Sequence, residues 1–171
     1  MKKNLVLTGM MGVGKSTIGR KLAKELNVKF VDVDKLIESK EKSTITAIFK
    51  KKGEIYFRKI ERKTTLDILK KSNLVIALGG GAFLDNVVRK ETLRSSISIW
   101  LDLSTRSIIK RLKNIKKRPL LDEKNLEVSI NKIYSERKKI YNQSNLRVKC
   151  DLLEIDQIIK KIIEYYESSR D

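Results

Sequence analysis

The sequence predicts an α/β fold of three layers, in which a five-stranded parallel sheet is covered by helices on both faces. Three observations indicate this fold class. Five short apolar runs alternate with segments of helical periodicity along the chain. The first run leads through a glycine-rich loop into a helix. Residues 74–78 are continuously apolar, which is typical of a parallel strand buried on both sides.

The first strand and helix enclose a phosphate-binding loop. Residues 9–17 read Gly-Met-Met-Gly-Val-Gly-Lys-Ser-Thr and fit the P-loop pattern Gly, four residues, Gly, Lys, Ser/Thr. The apolar run 4–8 before it and the helical periodicity of 15–27 after it are the context that gives this pattern meaning. Glycine backbones allow N–H groups to surround an anion, and the helix N-terminus adds its positive dipole end. We expect Lys15 to reach the β- and γ-phosphates of a nucleotide and Ser16 to ligate Mg²⁺.

Composition limits the classes of protein and of chemistry. At 171 residues with 40% hydrophobic and 35% charged residues, the chain is expected to form a single domain, 1–171, with room for a proper core. Its single cysteine, Cys150, cannot form an intramolecular disulfide, which suits a cytoplasmic location. No apolar run approaches the ~20 residues of a membrane span, so no membrane association is expected. The absence of histidine excludes Ser-His-Asp catalysis and leaves acid–base chemistry to Asp or Glu.

The formal net charge of +18 raises the alternative of a non-catalytic nucleic-acid-binding module. The basic residues are dispersed along the chain, and aromatic residues make up only 6% of it. A nucleic-acid module concentrates its cations on one surface or interleaves them with aromatic rings. Most of these cations are therefore interpreted as solvated helix faces, and no nucleic acid is expected as a partner.

Two carboxylates end the second predicted strand, residues 28–32. Asp32 and Asp34 lie where open α/β sheets bind their ligands, at the carboxyl end of a strand. In an extended segment they share one face while Val33 points away, so one can serve Mg²⁺ and the other a substrate hydroxyl. The alternative is that Asp34 only caps the following helix, residues 35–40.

Three glycines, Gly79, Gly80 and Gly81, follow the buried third strand. Glycine is unfavourable there unless a ligand approaches the backbone closely. The alternative is a tight turn before a helix that begins near Asp85.

The fourth strand, residues 97–102, ends in Asp102 and resembles a Walker B element. We interpret Asp102 instead as a turn residue or N-cap before the helix 104–112 and assign the metal carboxylate to Asp32. A polar and basic segment at about 112–124 contains Arg118 and is interpreted as a lid. The helix predicted over 126–141 carries Arg137.

Together these motifs resemble the shikimate kinase family. The matching features occur in the family's order and at family-like spacing over nearly the full length of the chain. They are residues 9–17, 32–34, 57–61, 79–82 and 118–121, and Arg137 followed by Tyr141. The resemblance implies a P-loop NTPase fold of the nucleoside monophosphate kinase type, with a substrate-binding helical segment at about 33–61.

The resemblance also implies an activity. It is the ATP-dependent phosphorylation of the 3-hydroxyl of shikimate to shikimate 3-phosphate and ADP, a step of chorismate and aromatic amino acid biosynthesis. Shikimate and ATP would be the small-molecule partners, Mg²⁺ the cofactor, and a monomer the expected state. A gluconate kinase or a nucleoside monophosphate kinase of the same fold remains an alternative.

Roles follow residue by residue from the same resemblance. The ATP-binding residues would be Gly12, Val13, Gly14, Lys15, Ser16, Thr17, Arg111 and Arg118. The acceptor-binding residues would be Asp34, Phe57, Arg58, Gly79, Gly80, Gly81 and Arg137, with Arg58 and Arg137 on the carboxylate. Mg²⁺ would be held by Ser16 and Asp32. Lys15, Asp34 and Arg118 would be catalytic, with Asp34 accepting the proton of the reacting hydroxyl.

Replacement of Lys15 by Ala tests the phosphate-loop interpretation. We expect phosphoryl transfer to be abolished, because the ammonium neutralises charge on the transferring group. The fold should persist, since the side chain is not part of the predicted core. ADP release and a thermal unfolding curve measure the two properties, and near-normal turnover would contradict the role.

Overall fold

The computed structural model describes residues 3–112 and 125–169. Within these residues, five strands form one parallel sheet: β1 Asn4–Thr8, β2 Lys29–Asp32, β3 Leu74–Ala77, β4 Ser96–Asp102 and β5 Leu146–Lys149. The strand order is β2-β3-β1-β4-β5, so β1 lies between β3 and β4 at the centre. The predicted fold class is confirmed.

Seven helices and one 3-10 turn connect the described strands. The helices are α1 Lys15–Glu25, α2 Val33–Glu41, α3 Ile45–Leu69, α4 Asn86–Ser95, α5 Thr105–Arg111, α6 Leu126–Tyr141 and α7 Ile155–Ser168. The 3-10 turn, Ala82–Leu84, follows the glycines after β3. Gly53, at φ 79°, interrupts α3 with a kink between two helical segments. None of the described helices combines the length and apolar character that a membrane span requires.

The core lies on both faces of the three central strands. Every residue of β1, β3 and β4 is buried, which agrees with the continuous apolar run of the third predicted strand. Trp100 and Tyr141 are the two largest fully buried side chains, and their rings lie 6.0 Å apart between β4 and α6. The central strands are thus fixed from both sides, and their carboxyl ends can carry precise functional geometry.

Two helix caps that the sequence left open, Asp34 and Asp102, are not formed. The helix after β2 begins at Val33 and is capped by Asp32, which accepts a hydrogen bond from the Lys35 backbone N–H at 3.2 Å. Asp34 therefore lies in the first turn of α2 and does not cap it. Asp102 does not cap α5 either, because Ser104 accepts the Ser107 N–H. The reason is that chain geometry, more than residue preference, decides which of two neighbouring acceptors reaches the free helix N–H groups.

Asn4→Ala tests how the sheet is held at its amino end. The buried Asn4 amide donates to the Lys71 carbonyl at 2.6 Å and accepts the Leu74 N–H at 3.0 Å, which joins the start of β1 to the start of β3. We expect the free energy of unfolding in urea to fall by about 2–3 kcal/mol, because the buried Leu74 N–H and the partly buried Lys71 carbonyl lose their partner. The exposed Asn131→Ala on α6 is the control, expected within about 0.5 kcal/mol of the parent. Equal effects of the two changes would contradict this role.

Candidate active site

The phosphate loop connects β1 to α1 in a shape that glycine alone adopts easily. Gly12 and Gly14 have φ angles of 78° and 97°, in the region that disfavours a side chain. Lys15 turns back over the loop, and its ammonium donates to the Gly9 and Met10 carbonyls, at 2.9 Å each. This contact orients a cation at the start of a helix, where an anionic phosphate is favoured.

The Ser16 hydroxyl donates to Asp32 Oδ2 at 2.5 Å. This pair joins the first turn of α1 to the end of β2, although β3 separates β2 from β1 in the sheet. The described residues contain no group of three or more acidic, histidine or cysteine side chains that could hold a metal by themselves. One hydroxyl and one carboxylate nevertheless fit Mg²⁺, which keeps several waters and takes its other ligands from substrate phosphates.

Asp34 and Glu61 approach the same point of the backbone at Gly79. A Cβ atom on Gly79 would lie 2.5 Å from Asp34 Oδ1 and 2.5 Å from Glu61 Oε1. A Cβ atom does not lie this close to a carboxylate oxygen, so only glycine allows these two carboxylates to lie against the end of β3. The requirement for close approach, which the sequence suggested for a ligand, is met here by the protein's own side chains.

Arg58 is fixed by two glutamates of its own helix. Its NH1 donates to Glu61 at 2.7 Å, while Nε and NH2 donate to Glu54 at 3.2 and 3.0 Å. The guanidinium carbon lies 5.3 Å from the centre of the Phe57 ring, within the range of a cation–π contact. A Cβ on Gly81 would lie 2.3 Å from Arg58 NH1, so this glycine provides the space that the guanidinium occupies.

Arg137 reaches the same region from α6. Its NH1 donates to the Gly80 carbonyl at 3.0 Å, and the Tyr141 hydroxyl donates to the same oxygen at 2.5 Å. Arg137 is 8% exposed, an unusually low value for a charged side chain. The structure therefore brings together two arginines that are 79 positions apart in the chain.

Glu61 is a second buried charge in this group. Burial raises the pKa of its carboxyl group from 4.5 to about 7, and Asp34 adds to the rise while Arg58 and Arg137 oppose it. The ion pair with Arg58 thus does not fully compensate the loss of hydration. Burial thus favours the protonated form of Glu61 more than it would for an exposed glutamate.

One cavity of about 720 Å³ joins these groups. From the phosphate loop it is lined by Gly12, Gly14, Lys15, Ser16 and Thr17. From the rest of the chain its predicted lining residues are Asp32, Asp34, Phe57, Arg58, Gly80, Gly81 and Arg137. Most residues that the sequence singled out therefore share one space.

Three of the predicted site residues that the structure describes do not line this cavity. Val13 is 1% exposed in the core, so any contact it makes with a phosphate would be through its backbone. Gly79 is buried below the cavity. Arg111 is exposed at the end of α5. Arg118 and nearly all of the predicted lid lie outside the described residues.

The sequence analysis assigned no role to Glu54, Glu61 or Tyr141. Glu54 and Glu61 are four residues before and three residues after Arg58, the spacings at which side chains meet on a helix. That spacing was a usable sign of the contact. The bond from Tyr141 to the Gly80 carbonyl spans 61 positions and has no local sign in the sequence.

Comparison with known proteins identifies the family. The family model described as shikimate kinase matches residues 11–167. This chain belongs to the shikimate kinase family. The shikimate kinase of Sulfurihydrogenibium sp. (strain YO3AOP1) is 44% identical over 163 residues, which cover 94% of this chain and 96% of that protein. The shikimate kinase of Bacillus subtilis (strain 168) is 37% identical and covers 95% of this chain and 88% of that protein.

Solved structures agree. The shikimate kinase from Acinetobacter baumannii in complex with shikimate superposes with a TM-score of 0.95 at 30% identity, covering 99% of this chain and 96% of that one. A deoxyadenosine kinase from M. mycoides with bound dATP has a TM-score of 0.61 at 21% identity, covering 96% and 99%, and shares the fold alone. The family is one of ATP-using phosphotransferases that act on an alcohol group, which agrees with the phosphate loop.

Glu61→Gln tests the electrostatics of this site. Because burial raises the pKa of Glu61 in the folded state, the folded protein binds a proton between about pH 4.5 and 7 that the unfolded chain has lost. As the pH rises through this range, we therefore expect the unfolding free energy of the parent to fall relative to that of the variant, by up to about 3 kcal/mol. Urea unfolding at several pH values measures the difference. A difference that is constant, or that rises with pH, would show that Glu61 is not destabilised by burial.

Proposed function

We propose that this kinase transfers the γ-phosphoryl group of ATP to the 3-hydroxyl of shikimate. The observation that carries the proposal is the presence of Arg58 and Arg137 in the same cavity as the phosphate loop. Two planar guanidinium groups suit a planar carboxylate, and the loop suits a nucleotide triphosphate. The solved relative in complex with shikimate has nearly the same chain path.

In the proposed mechanism the chain contributes charge and position. The acceptor oxygen forms a bond to the γ-phosphorus as the bond from that phosphorus to the β–γ bridging oxygen breaks, and ADP leaves. Lys15 neutralises charge on the phosphates. An oxygen of the Asp34 carboxylate accepts the hydroxyl proton, and Asp34 lies among the cavity residues with the loop. Arg118 is proposed to approach the transferring group, as the family resemblance implies.

Ser16 and Asp32 are proposed to hold Mg²⁺ together with the nucleotide phosphates. The metal supplies charge neutralisation to the phosphates when bound. The hydrogen bond between Ser16 and Asp32 keeps both oxygen atoms directed to one place before the metal arrives. Asp32 also caps α2, so the residue that serves the metal fixes the helix that carries Asp34.

The acceptor carboxylate would have to compete for Arg58. Both donor edges of this guanidinium are occupied, by Glu54 on one side and Glu61 on the other. Glu54 is half-exposed, so its bond is the weaker of the two and is proposed to yield to the substrate. Glu61 is 3% exposed and would keep the arginine in place.

We further propose that the enzyme acts as a cytoplasmic monomer without a nucleic-acid partner. The phosphate loop and the described acceptor-binding residues of this chain reach one cavity, so the proposed contacts need no residue from a second subunit. Its single cysteine, Cys150, is buried, and burial raises the pKa of the thiol to about 12. Both features suit an enzyme that acts on small molecules in a reducing compartment.

A substrate panel tests the proposed activity. ADP release is followed with shikimate, gluconate and several nucleoside monophosphates as acceptors, in the presence of ATP and Mg²⁺. We expect turnover with shikimate and none with the nucleotides, because the two arginines in the cavity suit a carboxylate, which a nucleoside monophosphate lacks. Turnover of a nucleotide or of gluconate but not of shikimate would refute the proposal. Steep salt-dependent binding of RNA without ATP turnover would support the nucleic-acid alternative.

Arg58→Ala tests the carboxylate contact. We expect the KM for shikimate to rise by about 10- to 100-fold, the effect of losing a charge-assisted hydrogen bond, while the KM for ATP changes little. Steady-state kinetics with each substrate varied in turn measure both constants. Arg94→Ala is the matched control, since Arg94 also pairs with a glutamate three residues away but lies on α4 outside the cavity. Similar changes in both KM values would contradict the assigned contact.

A further inference from the structure

One face of α6 carries three polar contacts to the carboxyl end of the sheet. Tyr134, Arg137 and Tyr141 are spaced by three and four residues, so they lie along the same side of the helix. Arg137 and Tyr141 both donate to the Gly80 carbonyl after β3. Tyr134 donates to Asp102 Oδ1 at the end of β4, at 2.8 Å. This last contact has no part in the mechanism described above.

Asp102 is a well-held acceptor for Tyr134. Its carboxylate is 7% exposed and accepts two bonds from Arg147, at 2.7 and 3.0 Å, through Oδ2. The other oxygen, Oδ1, is thereby left to Tyr134. Burial, with the hydrogen bond to Asp102, raises the pKa of the Tyr134 hydroxyl to about 12. The phenol thus remains a donor throughout the physiological pH range.

The two ends of this contact network are joined through Trp100. The Arg147 guanidinium lies 4.6 Å from the centre of the Trp100 ring, and that ring lies 6.0 Å from the Tyr141 ring. Asp102, Arg147, Trp100 and Tyr141 therefore connect Tyr134 back to the Gly80 carbonyl. A side chain in such a closed set has little freedom to change rotamer without disturbing the others.

The strand order gives this arrangement its functional meaning. Gly80 follows β3 and Asp102 ends β4, while β1, which leads into the phosphate loop, lies between them. The helix is therefore held at two points, one on each side of the phosphate-loop strand. Met11 N and Gly9 O lie 3.6 and 3.8 Å from the position of a Cβ on Gly80, so the loop and the Gly80 turn are in direct proximity. A shift of α6 about its Gly80 contacts would move Arg137 relative to the loop.

We infer that Tyr134 and Asp102 are positioning residues for the acceptor arginine Arg137. Their hydrogen bond fixes the part of α6 that precedes Arg137, so that the guanidinium stands at the distance from the phosphate loop that transfer requires. Asp102, whose strand resembles a Walker B element in sequence, would thus serve the acceptor and not the metal. This inference rests on the proposed acceptor role of Arg137.

Tyr134→Phe tests the inference, because it removes the hydroxyl alone. We expect the KM for shikimate to rise about three- to tenfold, the effect of losing part of a hydrogen bond to a charged group. The KM for ATP should stay within about twofold, since Tyr134 is not among the residues that line the cavity with the phosphate loop. Tyr166→Phe is the matched control: its hydroxyl donates to the Lys3 carbonyl at 3.4 Å, away from the cavity.

A merely structural role for Tyr134 predicts a different result. It would lower the melting temperature and leave the two KM values unchanged, or change them together, and either outcome would overturn the inference. A second variant, Asp102→Asn, leaves the backbone hydrogen bond from the Cys150 N–H to the carbonyl of residue 102 intact. It completes a double-mutant cycle with Tyr134→Phe. We expect Tyr134→Phe to raise the shikimate KM less in the Asp102→Asn background than in the parent, and equal effects would overturn the inference. If the parent enzyme itself does not use shikimate, the proposed function fails instead.

Discussion

The missing side chains of Gly79 and Gly81 are the constraint on which the site depends. A Cβ on Gly79 would stand 2.5 Å from the carboxylates of Asp34 and Glu61, and one on Gly81 would stand 2.3 Å from Arg58. Charged groups from α2 and α3 can therefore lie against the end of a central strand. Any larger residue would push apart the groups that face the phosphate loop. Glycine acts here through its size, since neither residue has a positive φ.

The charged groups beside these glycines form a mixed cluster of carboxylates and guanidinium groups, in which no single ion pair fully compensates the burial of its members. Glu61 is buried enough that its pKa rises to about 7 despite two nearby arginines. Such buried ionic groups contribute little net stability, because their desolvation offsets their attraction. Their value lies in position: Arg58 is held from two sides by α3, and Arg137 is held by Gly80. With Glu54 displaced, the acceptor carboxylate would meet two guanidinium groups that Glu61 and Gly80 still hold in place, which lowers the entropy cost of binding.

The sequence predicted the elements that local physics controls. The phosphate loop, the buried strand β3 and the bounds of α6 follow from periodicity, glycine spacing and apolar runs. It could not separate Asp32 from Asp34 as the cap of α2, because both are good caps and only backbone geometry distinguishes them. The role of Asp102 was equally hidden. Its partners, Tyr134 and Arg147, are 32 and 45 positions away, and no local pattern records contacts of that kind.

The central claim is that Arg58 and Arg137 recognise the negative charge of the acceptor beside the phosphate loop. The most direct measurement compares kcat/KM for shikimate with that for its carboxamide, which has nearly the same shape and no charge. The account predicts that the carboxamide is a poorer substrate by at least about 100-fold, since two charge-assisted hydrogen bonds weaken together. Comparable values of kcat/KM for the two acceptors would contradict it.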